Sequence, residues 1–164
     1  MIELSLRQDE ARLAYLAVAH HLGRPGSELD PITKQPVEHG LAEIAREMQP
    51  QLRLAVTNLS LRDNQVQRLL QGMLGSITEL KAYPMLEPRL DAEGGGRRSS
   101  VPGFDATLRH LFPEVEEDAE NAMGVAEQML LLKRRLDQRL AETPPRPDPA
   151  PEGQPRRGWW PFGR

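Results

Sequence analysis

Apolar residues recur every three or four positions in five stretches of the chain, which is the spacing of a helix with one buried face. The stretches cover residues 6–22, 37–59, 60–83, 104–112 and 118–141. The third has the clearest stripe, made of Val66, Leu69, Leu70, Met73, Leu74, Ile77 and Leu80. The pattern predicts an all-α fold, an irregular bundle of about five helices.

Residues 37–61 allow a second interpretation. Their apolar positions continue at helical spacing across Pro50, which removes a backbone hydrogen bond and so predicts a kink or break near Gln49. Every second residue is also apolar at Leu52, Leu54 and Val56, as in a strand. The helix is the favoured interpretation. The alternative is an α+β fold in which residues 52–61 pair with residues 2–6.

The tetrapeptide Leu-Ser-Leu-Arg occurs twice, at residues 4–7 and 59–62, each time just before a predicted helix. A duplicated helical hairpin would produce such a repeat. Four identical residues also arise easily in a chain rich in Leu and Arg, so chance is the favoured explanation. At the first copy, Ser5 and Gln8 have the S-x-x-Q spacing of a capping box, which predicts that Ser5 caps the first helix.

Glycines and prolines interrupt the helical pattern at two places. Gly72 and Gly75 lie inside the central stripe, where each costs about 1 kcal/mol relative to alanine, so we expect a second helix to approach closely there. Residues 84–103 contain three prolines and three consecutive glycines. A connection of this length without a regular pattern predicts a mobile loop within one helical domain of residues 1–142.

Charge is unevenly distributed along the chain. Residues 1–142 carry 17 basic and 22 acidic side chains, whereas residues 143–164 carry 4 and 2. Nucleic-acid-binding domains normally present a basic face that neutralises several phosphates, so we do not expect a nucleic-acid partner. The excess of arginine over lysine, 18 to 3, is typical of a GC-rich bacterial genome. No apolar run has the length of a signal or membrane segment, so we expect a cytoplasmic protein.

Candidate catalytic or metal-binding residues are few. The chain contains no cysteine, which excludes thiolate metal sites and cysteine nucleophiles. It also lacks the common phosphate-binding, hydrolase and zinc-protease motifs, so the sequence does not favour an enzyme. His39 and Glu43, four residues apart on a predicted helix, are a weak metal candidate. Such pairs are common on solvated helix surfaces, and we expect no cofactor.

The C-terminal residues 143–164 differ in composition from the rest of the chain. They contain 7 prolines and 3 of the 7 aromatic residues, including both tryptophans. Repeated proline predicts a disordered, extended spacer. Large apolar side chains beyond such a spacer suit a groove with an acidic rim or an anionic membrane surface. The candidate binding residues are Arg156, Arg157, Trp159, Trp160, Phe162 and Arg164.

These patterns together predict a non-catalytic interaction or adaptor protein. Its C-terminal Trp-Trp-Pro-Phe motif is expected to dock onto a partner protein or an anionic membrane surface, and in the second case the protein is peripheral at the membrane. The alternative is an enzyme or a metal-dependent binding protein with a site in the helical domain. That site would use residues among His20, His21, His39 and Glu43.

Overall fold

The protein is mostly helical, with one small antiparallel sheet of two strands. The computed structural model describes residues 1–91 and 95–142. In these residues the elements are β1 (Ile2–Arg7), α1 (Gln8–Gly23), α2 (Leu41–Met48), β2 (Val56–Leu61), α3 (Asp63–Ala82), α4 (Phe104–Leu111), α5 (Glu114–Glu117) and α6 (Asn121–Glu142). The prediction of a mainly α-helical fold is therefore confirmed.

The favoured prediction for the segment after Pro50 is wrong. α2 ends at Met48, and a single 3₁₀ turn of residues 49–51 contains the proline. The chain then forms strand β2, which pairs antiparallel with β1. The strand interpretation is thus the correct one for residues 56–61, whereas residues 52–55 form a turn. Pro50 cannot continue the helical hydrogen bonds, and a partner strand is available to accept and donate those of β2.

The two copies of Leu-Ser-Leu-Arg occupy equivalent places in the fold. Each copy ends a strand and leads directly into a long helix, so the repeated unit is a strand and a helix, not a helical hairpin. The strand register places Leu4 opposite Leu59, which is its own counterpart in the repeat. A two-fold rotation about an axis between Leu4 and Leu59 places each strand on the position of the other. We call residues 2–23 the first unit and residues 56–82 the second unit.

Both helices of the repeat begin with the same cap. The backbone N–H of Arg7 donates to the Glu10 carboxylate at 2.9 Å, and the backbone N–H of Arg62 donates to the Gln65 side-chain oxygen at 2.9 Å. The predicted cap at Ser5 is wrong, because Ser5 lies within β1 and bonds to Asn58 of β2. The first helical turn therefore starts two residues later than the S-x-x-Q pattern suggests.

The two long helices of the repeat contact each other where α3 has its glycines. A Cβ atom on Gly72 would lie 2.5 Å from the backbone oxygen of Ala17, and one on Gly75 would collide with the His20 ring. The predicted close approach is therefore confirmed. Ala17 and Gly72 are separated along the chain by 55 residues, the same offset as Leu4 and Leu59. Strand register, caps and helix contact thus share one offset, so the two strand–helix units are related by local two-fold symmetry.

A single core lies between the sheet, α1, α3 and α6. The inward leucines of the strands alternate with exposed polar residues, as the period of a strand requires. Helix α6 contributes the buried residues Ala122, Val125, Ala126, Met129, Leu132 and Leu136. In the part of the chain that the structure describes, none of the helices is long and apolar enough to cross a bilayer.

The described parts of the connection between α3 and α4 make hydrogen bonds to both helices. The guanidinium of Arg97 donates to the backbone oxygens of Pro84 and Leu86, at 3.1 and 2.7 Å. Glu79 of α3 accepts hydrogen bonds from Ser99 and Ser100. Mobility of residues 84–103 stays a prediction, and three of these residues, 92–94, lie outside the described part. The predicted disordered tail, residues 143–164, also lies outside it.

Candidate functional site

The metal candidate does not lie on one helix as predicted, because His39 precedes α2 in a turn with a φ of 55° and only Glu43 is in the first turn of α2. The His39 Nδ1 atom is 3.6 Å from a carboxylate oxygen of Glu43, and both side chains are at least one-third exposed. Within residues 1–91 and 95–142 there is no group of three or more histidine, cysteine, aspartate or glutamate side chains arranged to hold a metal ion. In the described structure the two side chains are therefore a surface pair within 4 Å of each other.

His20 is buried in the core between α1, α3 and α4. Its ring packs edge-on against Phe104 at 5.4 Å, and it lies against the backbone of Gly75. Its Nδ1 atom has no hydrogen-bond partner among the described residues. Burial lowers the pKa of His20, and the negative charge of Glu79 opposes this only in part. The folded protein therefore favours the neutral imidazole.

His21 belongs to a charged group that links α1, the following loop and α3. Its Nε2 atom is 3.2 Å from the carboxylate of Glu28, and the guanidinium of Arg68 lies 3.9 Å from the same oxygen. Arg68 also donates to the backbone oxygen of Ser27 at 2.9 Å. Burial lowers the pKa of His21, although Glu28 acts in the opposite direction. His21 is neighbour to His20 in sequence, but it faces a different environment.

An open cavity of about 460 Å³ adjoins this group, between the loop after α1 and one face of α3. We call it the loop cavity. Four polar residues of α3 line it with the spacing of a single helical face, namely Asn64, Gln67, Arg68 and Gln71. The loop side supplies His21, Arg24, Pro25, Gly26, Ser27, Leu29 and Pro31. The cavity therefore combines two arginines with several uncharged polar groups.

Two further groups of buried charges join elements that are distant in sequence. Glu10 of α1 accepts hydrogen bonds from Arg135 of α6 and from the backbone of Arg7. Burial acts to raise the pKa of Glu10, but these hydrogen bonds outweigh it, so the pKa lies below its ordinary value of 4.5. Tyr83, which directly follows the C-terminal end of α3, donates a hydrogen bond to the buried carboxylate of Asp105 in α4. Burial and this carboxylate raise the pKa of Tyr83.

Sequence reasoning placed His20 and His21 in a candidate site but did not identify Arg24, Arg68 or the loop cavity. A signal for the cavity was present, because the polar positions from Asn64 to Gln71 recur on the side of α3 opposite its apolar stripe. Such a stripe usually faces solvent, so the pattern alone does not reveal a facing loop. The six candidate residues of the C-terminal segment, residues 156–164, lie outside the described structure.

Comparison of the chain with protein-family models, with curated proteins and with solved structures found no match.

Proposed function

We propose that this protein is a non-catalytic interaction or adaptor protein. In this proposal the helical domain is a stable platform and the C-terminal segment binds the partner. The observation that carries the proposal is the placement of both tryptophans and Phe162 in the final six residues, beyond a segment with repeated proline. Exposed aromatic side chains reduce solubility, so their concentration at one end is best explained by a surface that covers them.

The use of charged groups in the helical domain supports a platform role. Glu10 joins α1 to α6, Glu28 joins the loop after α1 to α3, and Asp105 joins α4 to Tyr83. Each of these half-buried or buried carboxylates is engaged in holding two elements together. Charged pairs of this kind fix the relative positions of elements, because removing one partner leaves an uncompensated charge.

The favoured partner is a protein with an apolar groove and an acidic rim. Trp159, Trp160 and Phe162 supply the large anchors that dominate the binding energy of protein interfaces. The three arginines beside them, Arg156, Arg157 and Arg164, match acidic residues at the rim of such a groove. The same residues also suit anionic lipid headgroups, so an anionic membrane is the second outcome of the test below.

In the first experiment, full-length protein and a Trp159→Ala/Trp160→Ala variant are compared in a pull-down from a lysate of the host. In the second, the binding of both proteins to vesicles of anionic and of neutral lipid is measured at low and at physiological salt. A protein partner should be lost with the tryptophans, because aromatic anchors dominate in a groove. Membrane binding should instead require anionic lipid and weaken as salt increases, since each basic residue near the surface contributes only about 1 kcal/mol.

A Pro149→Ala/Pro151→Ala variant is the matched control, because it alters the spacer at two positions and leaves the aromatic motif intact. It should retain whatever the wild type binds. If no partner depends on the tryptophans and neither kind of vesicle is bound, the recruitment proposal is wrong in both forms.

A further inference from the structure

The loop cavity is lined by side chains that donate hydrogen bonds. On α3, three carboxamides and one guanidinium face it from Asn64, Gln67, Gln71 and Arg68. Arg24 and Ser27 of the loop and His21 of α1 complete the polar lining. No carboxylate is among the residues that the structure describes as lining it.

The two arginines have different roles in the cavity wall. Arg68 is held in place, since it donates to the backbone of Ser27 and lies beside Glu28, and its side chain is only 22% exposed. Arg24 follows the last turn of α1 and is exposed. Within the described residues its guanidinium makes no hydrogen bond or salt bridge. One donor group is thus oriented in advance, and a second is available to close on a ligand.

The carboxylates nearest to the cavity are those of Glu28 and Asp30, and Glu28 lies 3.9 Å from the guanidinium of Arg68. Glu28 bonds to His21 and lies 3.5 Å from the backbone nitrogen of Ala42. Asp30 accepts hydrogen bonds from the backbone of Ile32 and Thr33, and these bonds lower its pKa. Both carboxylates reduce the net positive charge near the cavity, and Glu28 partly neutralises Arg68, but the guanidinium of Arg24 takes part in none of these hydrogen bonds.

We propose that the loop cavity binds a small molecule that carries a carboxylate or phosphate group. The two guanidiniums bind the oxyanion, because planar guanidinium donors match the geometry of carboxylate and phosphate oxygens. The carboxamides of α3 bind further polar groups of the ligand, and Pro25, Leu29 and Pro31 contact its carbon atoms. The volume of about 460 Å³ is within the range of metabolite sites, which is about 300–1,000 Å³. This site is independent of the C-terminal segment and of its proposed function.

The test is a titration of isotope-labelled full-length protein with inorganic phosphate and, separately, with succinate, followed by the backbone amide resonances at constant ionic strength. Sodium chloride at matched ionic strength is the reference. We expect saturable shifts at residues 24–31 and 64–71 with at least one of the two oxyanions. The two titrations also distinguish a preference for phosphate from one for carboxylate.

Arg24→Gln should weaken this binding at least five-fold without unfolding the protein, because the side chain is exposed. Gln67→Ala, also exposed, should weaken it to a smaller extent. The matched control is Arg53→Gln, which removes an exposed arginine away from the cavity and should leave the affinity unchanged. The proposal is overturned if neither oxyanion gives saturable shifts at these residues, or if Arg24→Gln binds as well as Arg53→Gln.

Discussion

The first and second units share one local plan and differ where each meets the rest of the protein. In both, the sequence Leu-Ser-Leu-Arg connects a strand to a helix whose third residue caps the arginine backbone. The capping side chain is a glutamate in the first unit and a glutamine in the second. Only the glutamate meets an arginine of α6, Arg135. The charge of Glu10 therefore allows two ion pairs that the neutral Gln65 cannot form, one with the Arg7 guanidinium at 3.3 Å and one with Arg135 of α6.

The crossing of the two long helices shows the same asymmetry. α1 presents Ala17 and His20 at this crossing, and α3 presents Gly72 and Gly75 at the equivalent positions. Two backbones approach closely when one of them lacks a side chain, so glycine is needed on one helix only. The two units thus differ because the close approach of α1 and α3 requires glycine on α3 and leaves space for alanine and histidine on α1.

The largest effect is expected from adding a side chain at the crossing. Gly72→Ala places a Cβ atom 2.5 Å from the backbone oxygen of Ala17, which cannot rotate away. Overpacking of this kind typically costs about 1–3 kcal/mol, more than the gain of about 1 kcal/mol in helix propensity. We therefore expect a lower free energy of unfolding in chemical denaturation.

The matched control is Gly124→Ala in α6, where an added Cβ meets nothing within 4 Å. This variant should stabilise the protein by up to about 1 kcal/mol. If both variants changed the free energy of unfolding equally, α1 and α3 would be packed less closely than described. Steric exclusion would then not explain why α3 has glycine where α1 has alanine and histidine.

A smaller effect is expected from making the two caps chemically alike. Glu10→Gln keeps an oxygen for the Arg7 backbone but removes the charge that Arg135 contacts, so it should cost about 1–2 kcal/mol at pH 7. The folded pKa of Glu10 lies below 4.5, so its contribution is present above that pH and is lost as the pH falls through the folded pKa. Urea unfolding between pH 3 and 7 measures both effects. Glu47→Gln, an exposed position on α2, should change neither.

The histidine on one side of the crossing should make stability depend on pH near neutrality. Burial lowers the folded pKa of His20 below its ordinary value of 6.5, so its stabilising contribution is complete above that pH and falls as the pH decreases. The slope for one imidazole is at most about 1.4 kcal/mol per pH unit. His20→Gln should reduce the loss of stability between pH 6.5 and 5, whereas the exposed control His110→Gln should not. An unchanged pH profile in His20→Gln would contradict this assignment.

The smallest effect is expected from removing the C-terminal segment. Both units and α6 are complete by Glu142, so deletion of residues 143–164 should shift the melting temperature by no more than a few degrees. Thermal unfolding followed by circular dichroism measures this shift. A larger decrease would mean that Trp159 and Trp160 pack on the domain, which would also contradict their proposed role in recruitment.

The sequence by itself predicted the long helices and the close approach at Gly72, because these depend on local periodicity and on the cost of glycine in a helix. It predicted apolar stripes correctly at most positions, but Leu74 and Leu131 are exposed, 59% and 65%. Helical spacing identifies a face, whereas the width of the neighbouring elements determines how much of that face is covered. Of the residues that line the loop cavity, only His21 was a candidate site residue, because the others come from an irregular loop and from a helix face that is polar in any surface helix.

The tertiary structure alone decided three features. They are the strand conformation of residues 56–61, the helix cap at Arg7 and the contact of Glu10 with Arg135. A strand forms its hydrogen bonds with another segment, so the same residues satisfy a helical or an extended pattern until β1 is placed beside them. Once β1 extends to Arg7, the helix starts at Gln8 and Ser5 can no longer cap it. Arg7 is near Glu10 in sequence, but only the tertiary structure brings Glu10 to Arg135, which lies 125 residues away along the chain.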